Sequence, residues 1–290
     1  MRRRKFITLL GGAAAWPLAA LAQQAGRTYR LGCLRPSPRD APINAAFLEE
    51  LRRRGFIEGQ NFTVEYRAYG LHPDLISQYA AELVKARVDV IVTAGVDEAI
   101  RAAQQATKTI PIVAMSDDMI GSGLVGSMAR PNGNTTGVSI LAATLDGKRQ
   151  ELLIEAVPGL RRMALLVDAQ TNVVANVDAL QEAARAHNIE LSIHRIAQGE
   201  QIAAAVDAAK ALGAEAVNFS ASPLFFTHRH FIMDRLAALR LPAIYEWPET
   251  AEEGGFAAYG PRLDQLFVEV MTQQLIKLFR GSKVADIPVE

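Results

Sequence analysis

The sequence holds a single cysteine, Cys33, so no disulfide bond can form within the chain. Cys33 lies inside the apolar run of residues 29–34, which predicts a buried strand position rather than a site of lipid attachment. An excess of one charge is also lacking, because 31 basic residues are matched by 31 acidic ones. Without a basic stripe, the chain is not expected to bind nucleic acid.

The motifs of enzymes and metal sites are missing as well. There is no Gly-x-Ser-x-Gly elbow, and the histidines fall outside the loops where an α/β enzyme places its base. His228 and His230 are two positions apart and cannot share a helix face, and no cysteine or glutamate cluster completes a metal site. Neither catalysis nor a bound metal is predicted.

One glycine pattern suggests a cofactor. Gly121, Gly123 and Gly126 match the Gly-x-Gly-x-x-Gly spacing of a dinucleotide-binding loop. Such a loop follows a strand directly and begins a helix, whereas residues 117–120 intervene here and Pro131 stops the chain after about one turn. We therefore expect no cofactor.

A long apolar run occurs only near the N-terminus, over residues 7–22. Basic residues 2–5 precede it, and Ala20 and Ala22 close it at the positions that a signal peptidase recognises. Residues 1–22 are thus predicted to be a signal peptide cleaved near Ala22, and the paired arginines resemble a twin-arginine export signal. The alternative is a retained anchor, but a run of about 16 residues is shorter than the roughly 20 that a membrane span needs. We expect a periplasmic protein.

Beyond the signal, short β-rich runs alternate with helical patterns, which predicts βαβ units and parallel sheets. Strands are predicted at 29–34, 62–69, 88–94, 110–115 and 136–140, then at 163–167, 191–196, 216–219, 243–247 and 256–259. Helices are predicted at 43–54, 73–86, 97–107, 145–157, 174–187, 200–212, 225–239 and 263–279.

The pattern breaks near residues 130–145, where residues 131–134 form a turn, and then starts again. We predict an α/β fold of two Rossmann-like lobes with parallel sheets, joined by a hinge. The N-terminal lobe is expected to span residues 28–140, with residues 262–283 packing back on it. The C-terminal lobe is expected to span residues 141–261.

In an open parallel sheet, ligands bind beyond the carboxyl ends of the strands, against the helix N-termini that follow. Small and hydroxyl residues there leave backbone N–H groups free to bind a carboxylate. Asp117, Asp118 or Glu246 could bind a ligand ammonium group. Tyr245, Trp247 or Tyr259 could pack on the apolar body of a ligand. The alternative is that the aspartates and serines in these loops only cap helices.

Eight segments, in order along the chain, resemble one family. They are residues 55–61, 88–92 with 94–95, 110–113, 121–125, 129–131 with 133–134, 223–226, 241–245 and 259–261. The chain is similar to the uncharacterised substrate-binding proteins of ABC importers, a group that includes tryptophan- and tyrosine-type binding proteins. The resemblance implies a type I periplasmic-binding fold whose two lobes close on a small ligand and present it to a membrane permease.

The resemblance also implies which residues line the ligand-binding cleft. They fall at Ser37, Gly95, Val96, Asp117, Asp118, Thr171, Asn172, Ser220, Ser222 and Glu246, in the loops that the strand-end rule selects. Val96-Asp97 replaces the family's usual Thr-Pro, and Ser220-Ala221-Ser222 replaces a turn containing Pro-Asp, so the ligand cannot be copied from better-known members. Members usually continue past Glu290, so either the sequence is truncated or the last crossing between the lobes is absent.

Together these observations predict a periplasmic receptor for a small organic solute, with an amino acid or another carboxylate preferred. It is expected to act as a monomer with an ABC permease of the inner membrane. One alternative is a periplasmic sensor subunit that passes its ligand signal to a membrane receptor. An enzyme is the third possibility and would need a nucleophile–base pair in the cleft.

Overall fold

The structure is a computed structural model that describes residues 27–70, 72–169 and 177–290. The predicted signal peptide, residues 1–22, lies outside the described residues, as do Thr171 and Asn172. The export signal, its cleavage and these two site residues therefore stay predictions.

Two parallel five-stranded sheets form the framework of the described chain, with the orders β2-β1-β3-β4-β5 and β10-β9-β8-β6-β7. The prediction of an α/β fold with two parallel sheets is confirmed. The first sheet contains β1 (Tyr29–Arg35), β2 (Phe62–Ala68), β3 (Val90–Ala94), β4 (Ile112–Ser116) and β5 (Thr135–Ser139). The second contains β6 (Arg162–Asp168), β7 (Glu190–Ile196), β8 (Ala216–Phe219), β9 (Ala243–Tyr245) and β10 (Ala257–Ala258).

Helices connect successive strands, as parallel pairing commonly requires, except between β4 and β5, where residues 117–134 form turns without a helix. They are α1 (Pro42–Arg53), α2 (Ile76–Lys85), α3 (Asp97–Ala106), α4 (Asp146–Ala156), α5 (Val177–Ala186), α6 (Gln201–Ala211), α7 (Pro223–Thr227), α8 (Arg229–Ala238), α9 (Pro248–Glu252) and α10 (Met271–Phe279). Short 3₁₀ turns cover Pro73–Leu75, Ala142–Leu145 and Val284–Asp286, and a π-helical segment, Gln265–Val270, leads into α10.

The helices differ from the sequence prediction in the second half of the chain. The single helix predicted at 225–239 is two helices, α7 and α8, which meet at His228. α7 begins earlier because the Ser222 hydroxyl accepts a hydrogen bond from the N–H of Leu224 (3.0 Å) and Pro223 takes the first helical position. The helix α9 was not predicted.

The last helix packs on the first sheet although it follows the second sheet in sequence. Phe279 of α10 contacts Tyr29 and Phe56, with ring centroids 4.8 and 5.3 Å apart. Cys33 is buried on the same side and unpaired, as predicted. Full burial of one such ring stabilises the fold by about 1.5–3 kcal/mol, so this aromatic group fixes the helix on the sheet.

One buried side chain joins the two segments that cross between the sheets. The chain leaves β5 through Ala142 and returns from β10 through Tyr259. Arg149 of α4 is fully buried and donates to both carbonyls, through Nη1 to Tyr259 O (3.1 Å) and through Nη2 to Ala142 O (2.9 Å). It also pairs with the buried Asp146 carboxylate. Arg149 therefore ties the crossings together where the hinge is predicted.

Candidate ligand-binding cavity

A cavity of about 910 Å³ lies between the carboxyl ends of the two sheets. The loops that follow β1, β3, β4 and β5 line it from the first sheet, and the loops that follow β8 and β9 line it from the second. Its apolar lining includes Ile43, Met115, Ile140, Phe226, Trp247, Leu263 and Phe267. The volume is typical of small-molecule sites, about 300–1,000 Å³.

The structure brings six of the residues that were predicted from sequence to this cavity. Ser37, Gly95, Val96, Asp117, Asp118 and Ser222 line it. Ser220 and Glu246 are not among the described lining residues, although both are buried beside it. Thr171 and Asn172 lie outside the described residues. Direct binding of a ligand by these residues remains a prediction.

The two aspartates after β4 are both engaged by backbone donors. Asp117 Oδ1 accepts hydrogen bonds from the N–H groups of Ala142 (2.6 Å) and Ala143 (3.2 Å). Asp118 Oδ1 accepts from Ile120 (3.1 Å) and Gly121 (2.8 Å). Burial raises the pKa of Asp117, and the negative charge of Asp118 raises it further. The two backbone hydrogen bonds oppose this rise. Both carboxylates thus hold the cavity wall in place.

Ser222 serves the fold as well as the cavity surface. Its hydroxyl caps α7 and donates to Asp168 Oδ2 (2.5 Å), which links the ends of β8 and β6. Ser220, two residues earlier, lies under this link and accepts from the N–H of Asp168 (3.4 Å). The cap role that the sequence left open is therefore present at Ser222.

Glu246 and Trp247 point to different environments although they are adjacent. Glu246 is 2% exposed, and burial raises the pKa of its carboxyl to about 7. Trp247 lines the cavity and meets Phe226 edge-to-face, with ring centroids 6.5 Å apart. Tyr245 stacks on Phe219 inside the second half of the chain instead. Of the aromatic residues considered from sequence, the structure places Trp247 in the cavity wall.

Arg35 is a lining residue that the sequence analysis missed. Arg35 is the last residue of β1 and lines the cavity. It is buried, with only 6% of its surface exposed. The guanidinium carbon stands 4.0 Å from the centroid of the Phe267 ring, within range of a cation–π interaction. The strand-end rule, extended by one residue toward the strand, would have included it.

No helix among the described residues is long and apolar enough to cross a membrane. The same described residues contain no cluster of three or more histidine, cysteine, aspartate or glutamate side chains that could hold a metal ion.

Comparisons with known proteins agree on one family. The family model of the ABC transporter substrate binding protein matches residues 39–290. The "Tyrosine-binding protein" of Clostridioides difficile (strain R20291) is 24% identical over 246 residues, covering 84% of this chain and 70% of that protein. This is a family of solute-binding proteins rather than enzymes, in agreement with the prediction that the chain is not an enzyme.

Two solved structures have a fold similar to that of this chain. The conserved domain protein from Vibrio cholerae O1 biovar eltor has a TM-score of 0.78 at 22% identity, covering 91% of this chain and 88% of that one. The ABC domain from Streptococcus pneumonia in complex with L-Trp has a TM-score of 0.75 at 19% identity, with the same coverage. With the family model matching most of its length, the chain belongs to the ABC transporter substrate binding protein family.

Proposed function

We propose that the chain is the periplasmic solute-binding component of an ABC importer and holds a small organic solute, an amino acid or another carboxylate, between its two lobes. The observation that carries this proposal is the cavity of about 910 Å³, to which both sheets contribute lining residues. A ligand that touches both sheets stabilises the arrangement in which they approach each other, and this is the basis of closure on a solute.

The packing supports the proposed division into lobes. The first sheet lies within the proposed N-terminal lobe of residues 28–140, and the second within the proposed C-terminal lobe of residues 141–261. Residues 262–283 include α10, whose Phe279 packs against Tyr29 of β1. The hinge is formed by the crossings that Arg149 joins.

Among carboxylates, we propose that the cavity prefers one with an aromatic or apolar body. Both the lining of the cavity and the relatives support this preference. Phe226, Trp247 and Phe267 supply aromatic surface, and Arg35 supplies a cation. Relatives are described as binding tyrosine and L-Trp. A signal peptide of residues 1–22 would place the protein in the periplasm, where we propose that it acts as a monomer and delivers its solute to an ABC permease.

Ligand binding should raise the stability of the purified protein. We expect at least one of a panel of amino acids and aryl carboxylates to raise the unfolding temperature, because a ligand at 100 times its Kd adds about 2.7 kcal/mol to the free energy of unfolding. Differential scanning fluorimetry measures this directly. If no member of the panel stabilises the protein, and native mass spectrometry finds no solute bound after purification, the proposed binding function is contradicted.

Uptake separates import from sensing. Cells that lack this protein are expected to lose uptake of the stabilising solute, measured with a radiolabelled sample, and to regain it when the gene is restored. Unchanged uptake in those cells would contradict the importer role and favour a sensor subunit.

A further inference from the structure

Arg35 carries a buried positive charge without a counterion in the described part of the chain. Its Nε and Nη1 atoms are buried and have no hydrogen-bond partner among residues 27–70, 72–169 and 177–290. Burial lowers the pKa of the guanidinium, and the groups that oppose this shift are Tyr66, Tyr69 and Cys33, none of which is a carboxylate. Leaving a buried charge unpaired is strongly unfavourable unless an anion binds there.

The neighbours of Arg35 cannot supply that anion themselves. Burial raises the pKa of Cys33 to about 12 and that of Tyr69 to about 12, and it raises the pKa of Tyr66 as well. All three side chains are therefore neutral at physiological pH. The Tyr66 hydroxyl also donates to the carbonyl of Ser37 (3.0 Å), which fixes it beside the cavity.

The other charged groups of the lining have partners, apart from Glu98, which is exposed to solvent. Arg229 forms two hydrogen bonds with the Glu253 carboxylate (2.5 and 3.0 Å), and Arg101 donates to the carbonyl of Ser122. Asp97 accepts a hydrogen bond from the Ser116 hydroxyl (2.5 Å). Asp117 and Asp118 accept backbone N–H groups, as described above. The cavity therefore presents a buried, uncompensated cation, whereas Asp97, Asp117 and Asp118 are held by donors of the fold.

Aromatic surface and a second free donor lie in the same cavity. Phe267 stacks under the Arg35 guanidinium, and Trp247 reaches the cavity from the second sheet. The indole N–H of Trp247 is buried and has no acceptor within the described chain. A guanidinium binds a carboxylate with two parallel hydrogen bonds, and aromatic rings favour a flat apolar partner.

We infer that Arg35 binds the carboxylate of an aromatic carboxylate ligand, and that this carboxylate, rather than an ammonium group, is what the cavity requires. The inference rests on the proposed function, because it assigns the chemistry of the solute held in the same cavity. It treats Asp117 and Asp118 as structural residues, so an amino group on the ligand is tolerated but dispensable.

Three probes that share an indole ring test the requirement by isothermal titration calorimetry. Indolepropionate carries only the carboxylate, tryptamine only the ammonium group, and L-tryptophan both; benzoate adds a smaller aryl carboxylate. We expect at least one carboxylate to bind, and tryptamine to bind at least about 30-fold more weakly than indolepropionate, the loss typical of leaving a buried charge unpaired. Tryptamine binding as tightly as indolepropionate would overturn the inference.

Substitution of Arg35 tests the residue. Arg35→Gln is expected to weaken binding of the carboxylate probes by at least about 30-fold and to leave tryptamine unaffected. Arg39→Gln is the matched control, because Arg39 lies four residues along the same loop but is exposed, pairs with Glu58 and is outside the lining. Equal carboxylate affinity in Arg35→Gln and wild type contradicts the assignment.

Folding and function can be told apart in the same experiments. Because Arg35→Gln removes an uncompensated buried charge, the ligand-free variant should unfold at no lower a temperature than wild type. Should it fail to fold, Arg35→Met, which keeps a long side chain over Phe267, replaces it in the titrations. If none of the carboxylates binds to wild type but mass spectrometry finds another solute, the inference fails and the proposed function stands.

Discussion

Replacing Arg149 with alanine is expected to lower the free energy of unfolding by about 3–5 kcal/mol, the usual loss when one partner of a buried ion pair is removed. The Arg149 side chain is 0% exposed and that of Asp146 is 5% exposed. The substitution leaves the Asp146 carboxylate without its cation, and the carbonyls of Ala142 and Tyr259 lose their donor. Urea denaturation measures the change.

The exposed pair of Arg235 and Asp207 provides the control. Its side chains are 39% and 46% exposed, and Arg235→Ala should cost about 0–1 kcal/mol, as surface ion pairs do. A loss for Arg149→Ala no larger than for Arg235→Ala would show that Arg149 does not hold the two crossings together.

Stability is expected to fall as the pH rises from about 4 to about 7. Burial raises the pKa of Glu246 from 4.5 to about 7 and that of Asp146 from 3.8 to about 6, although Arg149 acts to lower both. In this range the folded protein keeps protons that the unfolded chain has released, so raising the pH favours unfolding. At about 1.4 kcal/mol for each pKa unit, Glu246 alone contributes a loss of about 3 kcal/mol. Urea unfolding at a series of pH values measures the slope.

Glu246→Gln is the variant that isolates this effect. It removes the ionisable group while keeping its size, so it should be more stable than wild type near pH 8 and should show a flatter pH dependence above about pH 4.5. The slope that remains below about pH 6 is expected from Asp146 and from Asp117 and Glu249, whose pKa values burial also raises. An unchanged pH profile in the variant would contradict the assignment to Glu246. The exposed Glu190→Gln serves as the control and should leave the profile as it is.

The sheets could be predicted because their strands are short, apolar and bounded by helices. The strand at 216–219 has the predicted bounds, since all four of its residues are buried and the chain turns at both ends. Helix boundaries were harder to predict. Apolar residues continue across His228, so the pattern alone could not reveal that α7 ends before α8 begins.

The sequence predicted which loops would line the candidate site, but it did not predict which residues of those loops would face the cavity. The strand-end rule selects the loops after β8 and β9, but a shift of one residue along an extended chain changes the face of the sheet. In these loops Ala221, Ser222 and Trp247 line the cavity, whereas Ser220 and Glu246 are buried beside it. Such a choice depends on how the sheets pack, which the local pattern does not contain.

Arg35 was missed for a related reason. An arginine at the end of a strand ordinarily predicts an exposed side chain. Its burial depends on Phe267, more than 200 residues later in the sequence, which returns to the first sheet and covers the guanidinium. Only a three-dimensional arrangement brings the two together, so neither composition nor spacing could indicate a buried cation there.

The most direct test of the account is a crystal structure of the protein grown with the aromatic carboxylate that stabilises it most. The account predicts the ligand in the cavity between the two sheets, with its carboxylate within hydrogen-bond distance of the Arg35 guanidinium and its ring against Trp247. A ligand that contacts only one sheet, or a carboxylate bound away from Arg35, would contradict it.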